Sequence, residues 1–213
     1  MKKTALLALV AAGLCGATEP RIVYCKTFRG SQPPFVEIDL DKNGHAVYKE
    51  APDDPNPIEV QVSPADVATV FDLAAKLDHF ARPLESHLKV AYTGEKKFVW
   101  EDGDQKHEAA FNYSLNVDAR QLADWFEMFS ETEQRLEDLD RTFHFDKLGV
   151  NDAVLQVNVL WDKKRLIAPL QFVPLLERIS KDESIVHIAR ERAASLVDQF
   201  RKQNPPPQEN PAQ

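Results

Sequence analysis

Cysteine and glycine are what this chain has least of among the residues that mark chemistry: two cysteines and seven glycines in 213 residues. Two cysteines cannot build a disulfide framework or a four-ligand zinc site. The glycines form neither a G-x-G-x-x-G fingerprint nor a phosphate-binding loop. A G-x-S-x-G elbow and a His-Glu-x-x-His helix are missing as well. Basic residues are in the minority, 26 Lys and Arg against 34 Asp and Glu, which argues against a nucleic-acid partner because phosphate contacts need a basic face. With 43% hydrophobic residues, the chain is not collagen, a coiled-coil fibre or a wholly disordered polypeptide.

What is present begins with an address. Lys2 and Lys3 precede the apolar run Ala5–Leu14, and Cys15-Gly16-Ala17 supplies small residues for a cut after Ala17. Ten apolar residues fall short of the about 20 that span a bilayer, so residues 1–17 read as a secretory signal peptide and no transmembrane helix is expected after its removal. The competing reading, a lipoprotein acylated at Cys15, fits less well. Bulky Leu14 stands where a small residue is expected, and Ala12 stands where leucine is expected. Removing residues 1–17 takes away two lysines and no acid, which moves the net charge from −8 to −10. The mature chain then keeps one cysteine, Cys25, which reads as a half-buried strand residue.

Along the mature chain, period-two patterns come first. Arg21–Arg29 reads as a strand. Phe35–Leu40 and His45–Glu50 form a hairpin around Asp41-Lys42-Asn43-Gly44. With Gly44 left-handed, Leu40 faces Ala46 and Ile38 faces Tyr48, so Val36, Ile38, Leu40, Ala46 and Tyr48 share one face. Ile58–Val62 and Lys89–Tyr92 are short strands. Lys97–Glu101 and Gln105–Tyr113 form a second hairpin, with Trp100 paired to Gln105 and Lys97 opposite Glu108.

The helical signals are separate. Ser63 caps a helix with Pro64 at its first position that ends near Phe80. Asp118 caps a long second helix in which Leu122, Phe129, Leu136 and Phe143 recur every seven residues, joined by Trp125, Phe126 and Leu139. Its other face carries Glu127, Glu131, Arg135, Glu137, Asp138 and Arg141. Helices over Asp152–Trp161, Phe172–Ser180 and Ser184–Lys202 follow, the last burying Ile185, Ile188, Ala189, Leu196, Val197 and Phe200. The expected fold class is α+β: an antiparallel sheet of two or more hairpins covered by helices, then a helical C-terminal segment. The expected organisation is a signal peptide over 1–17, an α+β domain over 18–149, a helical extension packed on it over 150–203, and a disordered tail over 204–213.

One motif invites a ligand. Asp39-x-Asp41-x-Asn43-Gly44 followed by Glu50 matches the spacing of an EF-hand calcium loop. An EF-hand loop lies between two helices, whereas here Pro33-Pro34 and a β-type run precede it and the proline-rich 51–57 follows it. The acids, Asn and Gly are ordinary turn residues, and Asp41 opposite His45 reads as a cross-strand ion pair. The six histidines, His45, His79, His87, His107, His144 and His187, form no spaced triad. His79 reads as an imidazolium at the end of the first helix. No catalytic, cofactor-binding or metal-binding residue is assigned, and no cofactor is expected.

The run Ile38-Asp39-Leu40, Asn43-Gly44 and Val47-Tyr48 resembles a hairpin of exported bacterial domains of unknown function. Thr93–Lys97, Phe111-Asn112-Tyr113 and Phe145–Gly149 are similar to segments of uncharacterised exported proteins. The resemblance covers most of the mature chain and implies export, with no activity and no site. The function expected is therefore a non-enzymatic binding or scaffold module of the cell envelope, periplasmic or extracellular, with another envelope protein as partner. The alternative is an exported hydrolase whose site has no sequence signature.

Overall fold

The computed structural model describes residues 19–203. The expected signal peptide, Cys15 and the expected tail over 204–213 lie outside them. Among the described residues, no helix is long and apolar enough to cross a membrane.

Among the described residues, six strands form one antiparallel sheet: β1 Arg21–Thr27, β2 Phe35–Asp41, β3 His45–Lys49, β4 Ile58–Gln61, β5 Glu95–Asp102 and β6 Gln105–Phe111. Their order is β4-β3-β2-β1-β5-β6, so β1 sits at the centre and pairs with β2 on one side and β5 on the other. Among the described residues, five α-helices follow the hairpins or separate them: α1 Pro64–Lys76, α2 Val117–Phe145, α3 Val150–Asp162, α4 Val173–Lys181 and α5 His187–Gln203. The expected α+β class, with a covered antiparallel sheet and a helical C-terminal segment, is what the chain adopts.

The first hairpin has the expected register, Leu40 against Ala46 and Ile38 against Tyr48. Gly44 takes φ +83°, and an added Cβ would meet the backbone oxygen of Val62 at 2.7 Å. The second hairpin is shifted by two residues from the expectation. Asp102 pairs with Gln105 and Trp100 with His107, because Gly103 at φ +56° closes a two-residue turn in place of a four-residue loop. Lys97 therefore faces Ala110 and reaches Glu108 only diagonally, at 4.0 Å. The shift is even, so Phe98, Trp100, Ala109 and Phe111 still share the buried face.

Other boundaries differ for local reasons. Residues 89–92 form no strand. The Asn112 side chain takes the N–H of Thr93 and donates to the carbonyl of Ala91, and its own backbone N–H goes to Glu85. That withdraws the chain from the ladder after Phe111, so Tyr113 lies outside the strand. The cap of α2 is Asn116, whose oxygen accepts the N–H groups of Asp118 and Ala119. Asp118 occupies the first turn, where its charge complements the helix dipole. The first helix is capped by Ser63 as expected but ends at Lys76. Asp78, His79 and Phe80 then all take positive φ. Ile188, expected inside, is exposed in the first turn of α5, while Ile185 just before the helix is buried.

Both α1 and α2 cover the face of the sheet that carries Ile22, Tyr24, Ile38, Leu40, Tyr48, Phe98 and Trp100. Tyr24 stacks on Phe126 at 4.9 Å between ring centroids, and Phe98 lies 6.1 Å from Phe126. The opposite face carries an ion ladder: Arg21 joins Asp39 and Glu101, Lys106 joins Glu101, and Lys49 joins Glu37. Half-buried Cys25 lies on that face with its thiol 3.7 Å from Glu37, and burial first, then Glu37, pushes its pKa up to about 11.

A second cluster belongs to the helices. Leu139 and Phe143 of α2 pack with α3, α4 and α5 through Val154, Val157, Phe172, Leu176, Ile179, Leu196 and Phe200. One helix thus contributes Leu122, Trp125, Phe126 and Phe129 to the sheet core and its last turns to the helical core. Since Phe126 is fully buried between Tyr24, Phe98 and Trp125, Phe126→Ala should cost about 3–5 kcal/mol in urea unfolding of the mature chain. A loss below about 1 kcal/mol would contradict this packing.

Candidate functional site

The calcium-like loop is part of the β2–β3 hairpin, and its ligand atoms are used elsewhere. The Asp41 carboxylate accepts the N–H groups of Asn43 at 2.8 Å and His45 at 2.9 Å, fastening the turn. Asp39 accepts from Arg21, and Glu50 accepts from the Tyr48 hydroxyl at 2.7 Å. The expected Asp41–His45 ion pair does not form, because the carboxylate is spent on the backbone and the His45 ring faces Glu59 at 3.5 Å. The histidines are dispersed. His79 packs on Trp100 with ring centroids 4.2 Å apart, beyond the end of α1 rather than on its dipole. His144 lies by Asp140, and His187 lies by Glu191. Among the described residues, no group of three or more His, Cys, Asp or Glu side chains is placed to hold a metal ion.

The chemistry concentrates at the end of the helix–sheet interface. Alternation along β1 carries the buried face from Ile22 through Tyr24 to Lys26, and alternation along β5 carries it from Trp100 through Phe98 to Lys96. Register then sets Lys26 directly opposite Lys96. Two ammonium groups thus face α2 from adjacent strands, an arrangement that repels. Glu127 of α2 answers both, at 3.1 Å from Lys26 and 3.9 Å from Lys96. Lys96 is only 8% exposed. Its ammonium also lies 3.3 Å from the carbonyl of Asn112 and 3.4 Å from the Thr93 hydroxyl. Burial lowers the Lys96 pKa, Glu127 opposes that, and the charge of Lys26 adds to it. A buried lysine held opposite a second lysine is costly to keep, which marks it as a candidate functional group.

Two cavities open on either side of the Lys26–Glu127 pair. One, about 250 Å³, is lined by Tyr24, Ser130, Gln134 and Arg165 as well as the pair. The Tyr24 hydroxyl there is buried without a hydrogen-bond partner among the described residues. Burial, then the charge of Glu127, raises its pKa. The Ser130 hydroxyl accepts from the Gln134 amide at 2.8 Å and lies 3.4 Å from the Tyr48 hydroxyl. Neither neighbour takes a proton at neutral pH, so this serine is positioned for hydrogen bonding and is not activated as a nucleophile. The other cavity, about 320 Å³, is lined by Lys26, Lys96 and Glu127 together with Phe111, Tyr113, Arg120, Ala123 and Asp124.

None of these residues stood out in the sequence. Glu127 and Glu131 were expected on the outer face of the long helix, but both are half-buried at the edge of its apolar stripe, where they meet Lys26 and Arg165. The available signal was parity: Lys26 is two residues beyond Tyr24, and Lys96 is two residues before Phe98. Comparison with protein-family models and with curated proteins returned no match for the chain.

A second buried ionisable group lies where α2 passes from one core to the other. Glu133 is 1% exposed, with one oxygen accepting from the Gln171 amide at 2.8 Å and the other without a hydrogen-bond partner among the described residues. Beside it, the Thr132 hydroxyl donates to the carbonyl of Met128 and accepts the N–H of Ile167. Burial pushes the Glu133 carboxyl up to about 7, against the opposing hydrogen bond from Gln171. A carboxyl raised in the folded state binds its proton more tightly there than in the unfolded chain. Its contribution is therefore complete below the unfolded pKa, about 4.3, and is lost as pH rises through 7. Relative to Glu133→Gln, the mature wild-type protein should lose about 2–3 kcal/mol of unfolding free energy between about pH 5 and pH 8. Parallel wild-type and variant values across that range would contradict an uncharged, buried Glu133.

Proposed function

We propose that the protein is an exported, non-enzymatic binding or scaffold module of the cell envelope, and that it docks another envelope protein through an apolar surface beside the edge strand β6. Export is supported by the Lys2-Lys3 and Ala5–Leu14 pattern ahead of Ala17. The observation that carries the binding reading is the placement of exposed apolar side chains. Leu88, Val90, Tyr92, Tyr113, Leu115 and Val117 are all exposed, with Tyr92 and Leu115 each at 61%. They belong to two short segments that hydrogen bonds tie side by side, from Ser86 N–H to the carbonyl of Tyr113 and from the Asn112 amide to the carbonyl of Ala91. Apolar groups scattered singly on a surface need no explanation, but six gathered on two joined segments mark an interaction surface. Aromatic side chains among them are the residue type that anchors interfaces.

The test uses mature protein starting at Thr18 as bait against the solubilised envelope fraction, beside the double variant Tyr92→Ser, Leu115→Asp. Both side chains are exposed, so the variant should unfold at the same urea concentration as the wild type. Wild-type bait should retain a stoichiometric partner, and the variant should retain at least about tenfold less. Equal retention by both, or turnover of ester or amide substrates by the purified wild type, would overturn the reading.

A further inference from the structure

The 320 Å³ cavity beside the lysine pair has donors in excess of acceptors. Its charged lining is Lys26, Lys96 and Arg120 against Asp124 and Glu127, one positive charge in excess. The two acids are engaged: Glu127 with Lys26 at 3.1 Å and Asp124 with Arg165 at 3.2 Å. Arg120 donates to the carbonyls of Ser114 and Leu115, each at 3.1 Å. Lys96 is the group left short. All three of its contacts, at 3.3, 3.4 and 3.9 Å, are long beside the about 2.7–2.9 Å of a charge-assisted hydrogen bond. An ammonium on a largely buried side chain, facing a cavity and lacking a short partner, is where an anionic oxygen gains most.

The uncharged part of the wall combines an apolar stretch, Phe111, Ala123 and the ring of Tyr113, with Thr93, Asn112 and Ser114. We propose that this cavity binds a small monocarboxylate with an apolar body, its carboxylate bridging Lys26 and Lys96 and its hydrocarbon lying against Phe111 and Ala123. The charge count selects a monoanion, because a dianion would set uncompensated charge beside Asp124 and Glu127. The volume, at the low end of about 300–1,000 Å³ for ligand sites, selects a small molecule. The carboxylate replaces water lost by Lys96 and relieves the repulsion between the opposed lysines, while Glu127 keeps its contact with Lys26. This site adjoins the docking surface, since Tyr113 borders both, but the proposed ligand contacts, Lys26, Lys96, Phe111 and Ala123, lie outside the segments proposed to meet a protein partner.

The experiment is an NMR titration of the mature protein with three probes: hexanoate, hexanol as the same apolar body without charge, and inorganic phosphate as a bare oxyanion. Hexanoate should shift the amide signals of Lys96, Phe111 and Ala123 saturably below about 10 mM. Hexanol and phosphate should bind at least about tenfold more weakly. Lys96→Met, which keeps the apolar stem, should weaken hexanoate by about tenfold or more, and Lys26→Gln should do the same if the Met variant disturbs the fold. Absence of saturable hexanoate shifts would overturn the proposal. So would hexanol or phosphate binding as tightly as hexanoate, or undiminished hexanoate binding by folded lysine variants.

Discussion

The structure depends on one constraint: a 29-residue helix must bury a single apolar stripe along about 43 Å, and no single partner in the fold is long enough to take all of it. The sheet takes the first half, through Leu122, Trp125, Phe126 and Phe129. The last turns, with Leu139 and Phe143, require a second apolar body, and α3, α4 and α5 supply it. Between the two lies a polar interval, Ser130, Thr132 and Glu133, that is buried all the same. The chain fills that interval by sending residues 165–171 back across α2: Arg165 pairs with Glu131 and Asp124, Ile167 hydrogen-bonds Thr132, and Gln171 bonds Glu133. Ile167 itself enters the sheet core.

The lysine site is a consequence of the same helix running past the end of the sheet. Where the aromatic face of β1 and β5 ends, strand parity still directs the next side chains at α2, and those side chains are Lys26 and Lys96. The helix meets them with an acid at the border of its stripe, Glu127. One carboxylate for two opposed ammonium groups leaves an excess of charge in a partly dry place. An ordinary core would have put apolar residues there, at no desolvation cost. That mismatch between what packing needs and what the strands present is the physical reason to look for function at this point.

What could be read from the sequence tracks how local each feature is. The first hairpin was legible to the register, because alternation and a left-handed glycine at position 44 act within a dozen residues. The second hairpin kept its faces but not its register, since Asp102-Gly103-Asp104 allows both a four-residue and a two-residue closure and only Gly103's conformation decides. The α+β class and the one-sided character of the long helix followed from periodicity. The pairing of β1 with β5 joins segments about 75 residues apart in the chain and has no local signature, so the opposition of Lys26 and Lys96 could not be seen. Glu133 was hidden for a similar reason: its position on α2 becomes interior only when residues 165–171 fold over it.

If one helix welds the sheet and the helical cluster together, the two cores cannot unfold separately. Differential scanning calorimetry of the mature protein measures this directly. A single transition is expected, with calorimetric and van't Hoff enthalpies in agreement. Two resolved transitions, one for the sheet and one for the helices, would contradict it.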